Sequence, residues 1–231
     1  MHRPPSSRLA RAAASLALVS LGAALGACGD KKLGPSVPAS VNIVSGDSQT
    51  LLAGNKASTP LVASIVNVDG SPLPNVPVRW SVWSGGGSVE TVVATTDANG
   101  QASTVYRSPA IVGSATVTAS SAGQARQFTV IIVADTIGSL FAYGGNGAAA
   151  LVGVPLTLTA RATDRFGNPM SGVGVTWSTS SGQLQATSST TDSTGLATNV
   201  ITVGPNPGSV TITATSRFNA VTFTVFALPS T

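Results

Sequence analysis

The chain has 231 residues, 42% of them hydrophobic but only 9% charged and 5% aromatic. Its formal net charge is +4, yet three of its twelve basic residues, Arg3, Arg8 and Arg11, lie at the very start; beyond them nine basic side chains face eight acidic ones, a balance of +1. Nothing in that balance predicts nucleic-acid binding through a basic surface, and no internal apolar run reaches the roughly 20 residues of a membrane-spanning helix.

The N-terminal "MHRPPSSRLAR" is basic, and the apolar "AAASLALVSLGAALGA" that follows ends on small residues. This order reads as an export signal over residues 1–27. The run stops at Cys28, the only cysteine. "LGAC", residues 25–28, resembles the lipobox of bacterial lipoproteins, although Gly26 stands where Ala or Ser is usual. The resemblance implies cleavage before Cys28, a thioether-linked diacylglycerol and an acylated amine. Two or more acyl chains anchor stably, at about 0.8 kcal/mol per buried methylene. Gly29, not Asp, follows Cys28, which by analogy with lipoproteins of two-membrane bacteria favours the outer membrane. The alternative is an incidental cysteine ending an ordinary signal peptide. One cysteine allows no intramolecular disulfide, so packing must hold the fold.

Residues 28–38, with "GDKKLGPSVP" after the cysteine, suit a short tether. A dozen residues reach only about 40 Å when fully extended.

The remainder is an internal duplication. "VDGSPLPNVPVRW" (68–80) matches "RFGNPMSGVGVTW" (165–177), and "TTDANGQA" (95–102) matches "TTDSTGLA" (190–197). "VGSATVTASS" (112–121) matches "PGSVTITATS" (207–216), and "QFTVIIV" (127–133) matches "TFTVFAL" (222–228). Each copy spans about 95 residues, enough to bury a core of its own. The expected modules are 39–134 and 137–229, joined with no long linker. Within each copy apolar residues alternate with period two. Val76, Val78 and Trp80 face inward in one copy, and Val173, Val175 and Trp177 in the other. Leu156, Leu158, Ala160 and Ala162 share a face, with Thr157, Thr159, Arg161 and Thr163 opposite. In "GQASTVYRS" the pattern is ambiguous, because Ala102 and Tyr106 face one way and the apolar Val105 the other. No helical periodicity with caps occurs, so the class is all-β, with antiparallel sandwiches.

The ordered set of a Gly-Asn-Pro turn, "VxVxW", "DxxGxA", "GSxTxTA" and "FTV" resembles the bacterial immunoglobulin-like group 1 domain of invasin and intimin adhesins. The first copy departs at the turn, with Asp69-Gly70-Ser71-Pro72 in place of Phe166-Gly167-Asn168-Pro169. The resemblance implies two tandem Greek-key sandwiches of seven or eight strands, each with its tryptophan on a central strand. It implies a structural or adhesive role and no reaction.

The residues agree on the last point. The only histidine, His2, lies in the signal, so no Ser-His-Asp triad can form in the exported part. Without His or thiolate ligands zinc has no ordinary site, and no metal or cofactor is implied. Asp97 with Gly100, and Asp192 with Gly195, read as carboxylate-capped turns in preference to calcium loops. Gly167, Asn168 and Pro169 read as a turn between strands. Asp164 is expected to cap that turn, and its counterpart Asn67 can do so without charge. Trp83 has Ser180 as its counterpart and faces away from Trp80. It either offers a ring to a sugar or partner or packs under a loop or against the neighbouring module, and packing is the expectation. Phe226 poses the same choice.

The expectation is therefore a lipid-anchored envelope protein with two immunoglobulin-like modules in a structural or adhesive role, touching the membrane through Cys28. Its other partners would be an envelope protein, a host or neighbouring surface, or a glycan. A carbohydrate-binding envelope lipoprotein is the alternative.

Overall fold

The structure, a computed structural model, describes residues 37–217 and 219–229 apart from the side chain of Ile137. Cys28, the signal segment and most of the tether lie outside the described residues. Every regular element among the described residues is a strand. The first half contains β1 (Ser40–Ser45), β2 (Gln49–Leu52), β3 (Leu61–Val66), β4 (Pro77–Ser84), β5 (Ser88–Val89), β6 (Val93–Thr95), β7 (Gln101–Thr104), β8 (Tyr106–Arg107), β9 (Gly113–Ser121) and β10 (Gln124–Val133). The second contains β11 (Ile137–Gly144), β12 (Ala149–Leu151), β13 (Pro155–Asp164), β14 (Gly174–Thr179), β15 (Gln183–Leu184), β16 (Ser188–Thr190), β17 (Leu196–Thr202), β18 (Gly208–Thr215) and β19 (Ala220–Leu228).

Each half folds into two facing sheets. The first has the orders β1-β3-β7 and β2-β10-β9-β4-β6, plus the small pair β5-β8. The second repeats this as β11-β13-β17-β15 and β12-β19-β18-β14-β16. The strands outnumber the seven or eight that the resemblance implied because several are broken in two. The first strand of each half serves both sheets. β1 pairs antiparallel with β3, the chain turns, and β2 then runs parallel to β10. The break sits at Gly46 to Ser48, where the Asp47 carboxylate accepts the Thr129 N–H at 2.7 Å. In the second half Asn146 accepts the Thr224 N–H at 2.9 Å, and β12 runs parallel to β19. The sandwiches are thus antiparallel except for one parallel edge pair each.

Alternation becomes burial. β3 reads buried and half-buried in strict turn, and Ala115, Val117, Ala119, Phe128, Val130 and Ile132 point into the first core. The two cores share no residue. In "GQASTVYRS" the ladder breaks at Val105; Ala102, Thr104 and Tyr106 are buried, and Val105 is half-buried against the same core. Tyr106 is fully buried, and its hydroxyl donates to the Gly86 carbonyl at 2.6 Å, which satisfies the one polar atom that burial would penalise.

Candidate functional site

The carboxylate turns are built as small cages of N–H donors. One Asp97 oxygen accepts the backbone N–H of Asn99 (2.8 Å) and Gln101 (2.9 Å). One Asp192 oxygen accepts from Thr194 N, Thr194 Oγ1 and Leu196 N at 2.7–3.0 Å. The Thr194 hydroxyl, followed by these backbone donors, holds the Asp192 carboxyl below the usual carboxylate range. Gly100 and Gly195 close these turns at φ of +70° and +78°. A Cβ at either would come within 2.6–2.7 Å of the carbonyl oxygen of Ile65 or Ala162, so glycine is required on both counts.

The Asp164 to Pro169 turn does more than reverse the chain. One Asp164 oxygen accepts Phe166 N (2.8 Å) and Asn168 N (2.9 Å). The other accepts Asn168 Nδ2 (2.8 Å) and the N–H of Asp135, which sits between β10 and β11 (3.1 Å). Asn168 then reaches into the first half. Its Nδ2 donates to the Ala110 carbonyl at 2.7 Å, and its Oδ1 accepts the Val112 N–H at 3.3 Å. The Arg165 guanidinium pairs with the Asp135 carboxylate at 2.8 Å and lies 4.7 Å from the Phe166 ring centroid. That ring fills the space above Gly54, where a Cβ would approach it to 2.6 Å. At Gly138 a Cβ would meet the Arg165 backbone N at 2.5 Å, so the turn also sits close on β11. Asp164 and Asn168 are 2% and 8% exposed. Burial by itself would raise the Asp164 pKa, but the bonds from Asn168, Asp135 and Phe166 together outweigh it and the net shift is downward.

The equivalent turn of the first half has the same scaffold and none of these reaching groups. Asn67 Oδ1 accepts Asp69 N (3.1 Å) and Ser71 N (3.0 Å), and the exchange of charge for amide leaves the turn intact. Sequence reasoning therefore found the turn but missed its second use. The signal was present in the departure of Asp69 and Ser71 from Phe166 and Asn168: the copy that meets a neighbour carries the ring and the amide.

Trp80 and Trp177 are 1% and 5% exposed, in contact with Phe128 (centroids 5.4 Å apart) and Phe223 (5.7 Å). β4 and β14 each have a strand on both sides. Trp177 Nε1 donates to Ser189 Oγ at 2.9 Å, whereas Trp80 Nε1 is buried without a partner. The cross-strand register explains the difference, since Val175 lies opposite Ser189 and its counterpart Val78 lies opposite Ala94.

Trp83 corrects the packing expectation. It sits in the bulge between Val82 and Ser84 and is 75% exposed. Alternation from the buried Trp80 turns the Trp83 ring outward, and it is left largely open to solvent there. The next three residues, Gly85 to Gly87, all have positive φ, and the Tyr106 hydroxyl pins that loop. The counterpart Ser180 instead exchanges two hydrogen bonds with Thr211, at 2.9 and 3.0 Å. Phe226 is also outward, at 46% exposure. A recess lined by Asn42, Ile43, Thr118, Ala125, Arg126 and Gln127 includes none of these residues. Among the described residues no three His, Cys, Asp or Glu converge as metal ligands would, and no helix is long and apolar enough to cross a membrane.

Two sandwiches with one repeated topology point to one repeated family. The bacterial Ig-like domain (group 1) matches residues 43–133 and again 148–225. The chain belongs to that family. Both Ig-like domains also have counterparts in solved structures. InvD of Yersinia pseudotuberculosis is 16% identical over 82% of this chain and 58% of its own, with a TM-score of 0.58. FdeC, described as an Escherichia coli adhesin, is 19% identical over 80% of this chain and 63% of its own, with a TM-score of 0.50. The D0-D1 domain of intimin is 23% identical over 81% of this chain and 95% of its own, at a TM-score of 0.35. This chain therefore spans about three-fifths of the InvD and FdeC structures, and the likeness is one of fold. No curated protein matches it.

Proposed function

We propose that the protein is a lipid-anchored spacer of the bacterial cell envelope, in which two Ig-like domains are held in a fixed relation and present a surface at a distance from the membrane. Residues 1–27 are removed as a signal peptide, Cys28 carries the lipid, 28–38 is the tether, and 39–134 and 137–229 are the two domains. The outer membrane is the destination. The observation that supports this reading best is the junction: Asp164, Asn168 and Phe166 tie the second domain to the first and to Asp135. A flexible string of binding beads needs no such contacts, whereas a spacer does. The role is interfacial, with no reaction assigned. In cells, the wild type should incorporate labelled palmitate and partition with membranes, and Cys28→Ser should lose both. Membrane-free wild-type protein would overturn the anchor. Protease shaving of intact cells that removes the second domain places the spacer outside; full protection would place it in the periplasm.

A second reading, recognition of a glycan through Trp83, is favoured by that ring's 75% exposure at a position where the other domain uses a serine to close its sheet. Aromatic faces stack on sugar rings. Trp83→Ser should leave the melting temperature unchanged and abolish signals on a glycan array; unchanged signals would remove Trp83 from consideration.

A further inference from the structure

The outer face of the sheet β11-β13-β17-β15 carries a cluster that the fold does not require. Phe141 and Tyr143 on β11 are 37% and 57% exposed. Arg161 of β13 is the cross-strand partner of Phe141, and its guanidinium carbon lies 5.6 Å from the Tyr143 ring centroid. Arg161 Nε is buried and has no hydrogen-bond partner. Among the described residues no carboxylate pairs with Arg161: the ion pairs are Lys56–Glu90 and Arg165–Asp135, and the nearby Asp164 is saturated by its four N–H groups. The Tyr143 face attracts the Arg161 cation but leaves its charge without a counter-ion.

The duplicated domain serves as the control. The same register in the first domain pairs Asn42 with Ser64 where the second pairs Phe141 with Arg161, and Val44 stands for Tyr143. The sandwich therefore forms without two aromatic rings and a charge on this face. Hydroxyls extend the patch, with Thr159 opposite Thr198 and Thr157 further along the strand.

We propose that Phe141, Tyr143 and Arg161 form a binding site for a carboxylated polysaccharide. The uronate carboxylate would take the guanidinium as its counter-ion, and the C–H face of a pyranose ring would lie on Tyr143 or Phe141. Charge complementarity sets the anion, because the patch holds a single unpaired positive charge. An acidic peptide would most readily add as a strand along β11, the sheet edge, but that edge is broken by register shifts between Ile137 and Ser139 and between Ala142 and Gly144. Bulges of this kind discourage strand addition. The flat face remains, which suits stacked sugar rings. This site is independent of the spacer role and of Trp83.

The test uses the full-length chain in affinity electrophoresis through gels containing polygalacturonate, fully methyl-esterified polygalacturonate or polyglutamate. The site predicts retardation by polygalacturonate only. Arg161→Gln and Tyr143→Thr should each weaken it at least tenfold, and Trp83→Ser should leave it unchanged. Thermal melts within a degree or two of wild type for Tyr143→Thr guard against misfolding, since that ring is outside the core. Absence of retardation by polygalacturonate overturns the proposal, as does retardation unaltered in both variants. Equal retardation by polyglutamate overturns the glycan in favour of an acidic peptide, and equal retardation by the methyl ester removes Arg161 from recognition.

Discussion

Replacing Asn168 with alanine should unfasten the junction. The amide makes one bond to an ionised acceptor, Asp164, at 2.8 Å, and one to a neutral acceptor, the Ala110 carbonyl, at 2.7 Å. Its contact with Val112 N, at 3.3 Å, is long enough to count for little. A bond to a charged group contributes about 2 kcal/mol and a neutral one about 1 kcal/mol. The total loss is then about 3 kcal/mol. About two-thirds of it falls on the second domain, where Asp164 loses a donor that supports its turn, and about one-third on the coupling between domains. Urea unfolding followed by the fluorescence of Trp177, in a background lacking the other tryptophans, reads the first share directly. The second appears as wider separation of the two domains' unfolding midpoints. A loss below about 0.5 kcal/mol with unchanged midpoints, within the scatter of ordinary surface substitutions, would refute the assignment.

Trp177→Ala should cost about 3–5 kcal/mol, the scale of large aromatic truncations in cores, and a thermal melt with almost no change would sink its place there. Ser189→Ala should destabilise the second domain by about 1–2 kcal/mol by orphaning Trp177 Nε1, while Ala94→Ser should stabilise the first by about 1 kcal/mol by giving Trp80 Nε1 an acceptor; calorimetry that finds both neutral would contradict the pairing. Acid should loosen the junction through Asp164. Its folded pKa lies below the ordinary 3.8, so its stabilising contribution is complete above that value and is lost as pH falls through the lower folded one. Asp164→Asn should flatten the pH dependence of the second domain's stability below pH 4, and an unchanged profile would refute the role of that carboxylate.

Much of this was legible in the sequence because the duplication repeated it. The alternation around Trp80 and Trp177 gave the buried face, and the spacing of Asp97 from Gly100 and of Asp192 from Gly195 gave the turns. What escaped was whatever depends on two segments meeting. Asn168 reads as an ordinary turn residue until Ala110 arrives beside it from the other domain. Arg161 reads as the outward member of an alternating strand until β11 brings Phe141 and Tyr143 near it. The outward direction of Trp83 follows from alternation, but that no loop or neighbouring strand covers its ring depends on the segments around it, which no single-strand pattern encodes. The parallel edge pairs escaped for the same reason, since they arise where one strand changes sheets at Gly46 and Gly145.

The claim of a fixed relation between the domains is tested most directly by a distance between them. Spin labels at Ser103→Cys and Thr198→Cys, exposed and equivalent positions on β7 and β17, should give one narrow distance distribution in a Cys28→Ser background. That distribution should broaden when Asn168→Ala is added. A distribution that is already as broad with Asn168 in place would contradict the spacer.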